Sequence, residues 1–136
     1  MNPPEAIGKR LDDAHDLQDV LAAGWEAFDR IRRVATVRAH GDHGSYATWM
    51  SVIPPACEGR DALDRAPSMP ADQDRHVRSE DYATDDQAAH DIAALAEILS
   101  QRLRADNIAR NVADQQAIER ATLAAAEIIG LLADED

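Results

Sequence analysis

Between Leu11 and Ala39 the apolar positions Leu17, Leu21, Gly24, Trp25, Phe28, Ile31 and Ala35 fall within about 60° of one direction at roughly 100° per residue. That pattern predicts a long amphipathic helix. Asp12, Asp13 and Asp16 stand at its start and arginines at its end, the polarity the helix dipole favours, and Gly41 to Gly44 supply a stop. Gly24 lies on the apolar face, where a missing side chain admits another helix's backbone and offsets its intrinsic cost of about 1 kcal/mol relative to Ala. Next, Tyr46, Trp49, Met50 and Ile53 follow at i, i+3, i+4 and i+7, a helical face directed at a core. Pro54-Pro55 then removes two backbone donors, which predicts a broken helix with Pro55 to Leu63 as its second half.

Residues 66–83 hold prolines, charges and histidine without periodicity and read as an exposed or disordered loop; its 18 residues exceed the usual upper range of about 12 to 15. Thr84-Asp85-Asp86-Gln87 has the form of a capping box, placed directly before the helical stripe Ala88, Ile92, Leu95, Ala96, Leu99 and Leu103. Asp106-Asn107 marks a turn. A final helix from about Asp114 to Leu132 carries Ala117, Ala121, Ala124, Ala125, Ile128, Leu131 and Leu132 on one arc, with Ile118 and Ile129 widening it.

Composition sharpens this picture. Leu, Ile, Val and Phe number only 26 of 136, and the net charge is -12, which places the chain near the disorder boundary. The 27 alanines shift the balance, because Ala forms helices without side-chain entropy loss and lets them approach closely. The expected fold is an all-α bundle of four or five helices forming a single domain over residues 1–136. A β-sandwich would need short alternating strands between turns, and none is present. No stretch approaches the roughly 18 apolar residues of a membrane span, and Met1-Asn2-Pro3-Pro4-Glu5 does not resemble a secretory signal, so a cytoplasmic location is expected. Cys57 alone cannot form an internal disulfide.

An acidic chain is repelled by nucleic-acid phosphates and anionic membranes, so neither is an expected direct partner. Only residues 30–66 carry a positive balance, 6 bases against 4 acids. Their cluster Arg30, Arg32, Arg33 and Arg38 reads as cations meeting the negative end of the first helix's dipole.

Several groupings bear on chemistry. His90-Asp91, within Ala88-Ala89-His90-Asp91-Ile92, resembles the metal-binding dipeptide of the HD phosphohydrolases, all-helical enzymes whose site is completed by an upstream His and a downstream Asp. The resemblance implies those roles for His43 and Asp114. On a helix, however, His90 projects about 160° from Ile92, away from the apolar stripe, whereas a metal cage needs converging ligands. The glycine expected after the dipeptide is also absent. His40-Gly41-Asp42-His43 offers two imidazoles and a carboxylate, a set suited to loose Zn or Ni binding or to a polar turn. Asp12, Asp16 and Asp19, with Glu26 and Asp29, are similar to the acidic pairs with which all-helical nucleotide pyrophosphohydrolases hold Mg²⁺, though the paired-Glu signature is missing. Asp12, Asp16 and Asp19 also space carboxylates about 4.5 to 6 Å apart along a helix. That is sparser than the charge of a DNA duplex at one per roughly 1.7 Å, which a nucleic-acid mimic would have to match.

About 25 large apolar side chains leave a monomer of this length marginal, so association would help. Ile98, Leu123 and Ile129 lie off or at the margin of the main arcs. They are candidates for an intermolecular interface, or for contacts with the broken helix or the loop of the same chain. The expected function is non-catalytic: protein–protein interaction, by self-association or docking on a protein partner, with no cofactor and no resident metal. An acidic nucleic-acid mimic that inhibits a DNA-binding protein is the alternative, and a metal-dependent HD-like phosphohydrolase the third reading.

Overall fold

A computed structural model describes residues 17–40, 46–67, 84–103 and 109–134. Five helices and no strand occur among them: α1 (Leu17–His40), α2 (Tyr46–Asp64), α3 (Asp85–Arg102), α4 (Val112–Ala126) and α5 (Ile128–Asp134). The fold is an all-α small helical bundle. Asp12, Asp13, Asp16, the 41–45 stop, the Asp106-Asn107 turn and most of the expected loop, residues 68–83, lie outside the described residues.

Neighbour relations follow a ring. α1 packs on α2, α2 on α4, α4 on α3, and α3 returns to α1, while α5 lies against α3 and α2. One apolar cluster draws on all five helices, with Trp49, Phe28, Leu21, Leu63, Leu95 and Ile128 among its fully covered side chains.

α1 buries more than its narrow stripe predicts. Besides Leu21, Phe28, Ile31 and Ala35, it covers Ala23, Ala27, Val34, Asp29, Arg30 and Arg38, because it meets helices on two sides. Gly24 is buried, but a Cβ there would meet side chains, Leu63 Cδ1 at 3.1 Å and Leu103 Cδ1 at 3.5 Å, rather than another backbone. The close approach occurs instead at Gly59 on α2, where a Cβ would lie 2.6 Å from Ala121 Cβ of α4 and 3.3 Å from Phe28 Cζ of α1. That distance is below van der Waals contact, so only glycine fits between the three helices as they stand.

The expected break at Pro54-Pro55 does not occur: α2 runs as one helix from Tyr46 to Asp64 with both prolines inside it. Proline deletes the amides that would reach the carbonyls of Met50 and Ser51. Pro54 and Ser51 are both exposed, so the freed carbonyls can turn to water, while Trp49, Val52 and Ala56 bury the opposite side. Ser51 Oγ also donates to the Thr48 carbonyl at 2.6 Å. Tertiary packing on both flanks therefore outweighs two lost ladder bonds. Tyr46, expected in the core, is 56% exposed at the first turn and sets its ring edge-on to His40.

Helix ends follow their capping chemistry. Thr84 Oγ1 accepts from the Gln87 amide at 3.1 Å, as the capping-box pattern predicts. α4 begins at Val112 rather than near Asp114, because Asn111 is the cap, its Oδ1 accepting from the Asp114 amide at 2.8 Å. The last helix is also interrupted at a single turn residue, Glu127. The bonds from the Glu127 amide to Leu123 O and from the Leu131 amide to Glu127 O, both 3.1 Å, keep the chain helical on either side.

Candidate interaction groove

Between α3 and α4 lies an open groove of about 790 Å³. Its floor is apolar: Leu99 and Leu103 from α3 and Ile118 from α4 are buried residues beneath it. Ala93, Glu97 and Ser100 recur at i, i+4 and i+7 along one wall, and Glu119, Leu123 and Ala126 form the other. Leu123 is 59% exposed, and Glu97 and Glu119 are exposed as well. One end is tied, since Gln115 Nε2 donates to the Leu103 carbonyl at 3.2 Å and so satisfies an acceptor at the end of α3.

α4 is thus two-faced. Ala117, Ile118, Ala121 and Ala125 are buried, while Val112, Gln116, Glu119, Leu123 and Ala126 are all exposed and recur at 4, 3, 4 and 3 residues. At 100° per residue those five fall within about 40° of one line, the spacing of a seam that another helix can enter. This spacing is present in the sequence, but the Ala-rich inward arc is the stronger signal and masks it.

Of the three candidate interface residues, Leu123 stands at the groove. Ile98 and Ile129 are half-buried and packed against the core, the arrangement expected if they meet their own chain.

Charged side chains outside the groove lining meet in ion pairs. The Asp29 carboxylate, 2% exposed, accepts from three guanidinium groups: Arg60 Nη1 at 2.9 Å, Arg33 Nε at 3.0 Å and Arg32 Nε at 3.1 Å. Burial works to raise the Asp29 carboxyl, but the bonds from Arg60 and Arg32 and the charge of Arg33 outweigh it and hold the group below its usual range. Arg60 also lies over the Trp25 ring, 5.8 Å from its centre. Arg30, 4% exposed, reaches across to Asp91 on α3 at 3.2 Å. Asp114 receives Arg65 Nη2 at 2.8 Å, and this bond, with Arg110 nearby, lowers its carboxyl too; the aspartate is covered by these arginines rather than sunk deep in the core. Within the arginine cluster, Arg30 thus pairs with Asp91, 61 residues on, while Arg32 and Arg33 meet Asp29 one turn back on α1.

The residues nominated for metal chemistry diverge. His90 is exposed, its Nδ1 2.8 Å from the Asp86 carbonyl oxygen, while Asp91 turns inward to Arg30 and Asp114 is engaged by Arg65. Asp29 is held by arginines, His40 is exposed beside Tyr46, and Gly41, Asp42 and His43 lie outside the described residues. Among the described residues no three His, Cys, Asp or Glu side chains gather as a metal site would require, and no helix is long and apolar enough to cross a membrane. Cys57 is a free, half-buried thiol on α2. No protein-family model, curated protein or solved structure matches this chain.

Proposed function

We propose that this protein works without catalysis, as a helical module whose α3–α4 groove docks a helix from a protein partner. The observation that carries the reading is the pairing of an apolar floor with a wall residue, Leu123, that is large, apolar and 59% exposed. Grooves of this form receive amphipathic helices, because a stripe at i, i+3, i+4 and i+7 fills the floor while its polar side stays in water. Self-association through the same seam is the competing form of this reading. Adding an uncharged amphipathic helical peptide with a Leu/Ala stripe to the isotopically labelled full chain tests docking. Amide shifts should concentrate at residues 93–101 and 118–126 and weaken in Leu123→Ser. Shifts scattered over the bundle, or none up to about millimolar peptide, the weak limit of specific recognition, would overturn it.

A further inference from the structure

Among the described residues the groove carries acid on both walls and no base: Glu97 and Glu119 line it, and no described lining residue is Lys or Arg. Arg120, next to Glu119, leans the other way, 3.8 Å from Glu58 on α2. Glu119 also occupies the middle of the outward seam, with Val112 and Gln116 before it and Leu123 and Ala126 after it. A symmetric pairing of two copies along that seam, parallel in register or antiparallel about its midpoint, sets Glu119 against Glu119. The net charge of -12 adds repulsion at longer range. Like charges facing each other at a seam disfavour that pairing, whereas a cation there gains a partner and suppresses wrong pairings.

We infer, building on the docking reading, that the occupant is a basic amphipathic helix of another protein. Its apolar stripe lies on Leu123, Ala126 and Ala93, above the buried Leu99, Leu103 and Ile118, and Lys or Arg beside the stripe pairs with Glu97 and Glu119. The wall from Ala93 to Gln101 is about 12 Å long at ~1.5 Å per residue, so two to three turns of the partner suffice.

Three peptides with one shared Leu/Ala stripe and Lys, Gln or Glu flanks separate the possibilities by fluorescence anisotropy on the full chain. The Lys peptide should bind about tenfold tighter than the Gln peptide at low salt, the combined effect of two rim pairs, and lose that advantage at high salt. Combining Glu97→Gln with Glu119→Gln should erase the preference, while Asp61→Asn, an exposed acid that does not line the groove, should leave it intact. Equal binding of all three peptides keeps docking and overturns the basic partner. A Lys preference that survives the double substitution overturns it as well, since attraction would then be diffuse. A dimer in sedimentation that Leu123→Ser dissociates makes the occupant a second copy and overturns the inference. Absence of binding by every peptide removes the docking reading itself.

Discussion

The two sides of α4 use opposite contacts. Toward α2 the meeting point is Gly59 against Ala121, small enough for the helices to close on each other, and Arg65 pins the start of α4 through Asp114. Toward α3 the facing residues are the larger Leu99, Leu103 and Ile118, and a groove lies above them. Side-chain size at the crossing decides which seam seals and which stays open. On its α1 side the same α2 is held by buried charge, where a carboxylate shared by three arginines tolerates little rearrangement.

Disrupting the sealed contacts of α2, with α1 and with α4, should have the largest effects. Asp29→Asn keeps the shape but removes the charge that three guanidinium groups share, and should cost about 3 kcal/mol in urea unfolding. A loss under about 1 kcal/mol would mean that packing alone holds α1 to α2. Gly59→Ala comes next, at about 2 kcal/mol, because the added methyl overfills the α2–α4 contact by more than helix propensity returns. Ala121→Gly in the same chain should recover part of that loss, and an unaffected Gly59→Ala would break the close-approach account.

Acid should act on the same region. Asp29 and Asp114 are both held below the ordinary carboxylate range, so their stabilisation is complete above about pH 5, where the unfolded chain's carboxylates are ionised. It is lost as pH falls through their lower folded values. Melting temperature should therefore decline below about pH 5, and less steeply in Asp114→Asn. The open side should respond least: Leu123→Ser should change stability by about 0.5 kcal/mol or less. A core-sized loss there would turn the outward seam into an inward one and erase the contrast between the two edges.

Local chemistry was legible in the sequence, and distant geometry was not. Thr84 could be read as a cap because its acceptor and the amide it serves are three residues apart. The stripe of α1 was equally readable, since helical spacing is a property of consecutive positions. The passage of α2 through Pro54-Pro55 was not, because packing of Trp49, Val52 and Ala56 decides it and proline's local cost points the other way. Nor could spacing show that Gly59, rather than Gly24, is the point of closest approach, or that Arg60 serves Asp29 on another helix. At the groove, Leu123 was legible as an apolar residue off the main arc, whereas Glu97 and Glu119 become wall residues only once α3 and α4 are set side by side.

The inward turn of the arginines has a consequence for how the molecule responds to its medium. With Arg30, Arg32, Arg33, Arg60 and Arg65 engaged by Asp91, Asp29 and Asp114, the excess of acid that the net charge of -12 records draws its neutralisation from dissolved cations. Moderate electrolyte should therefore firm this bundle instead of loosening it, because an ionic atmosphere quiets the crowding of exposed negative charge while the sheltered pairs hardly sense it.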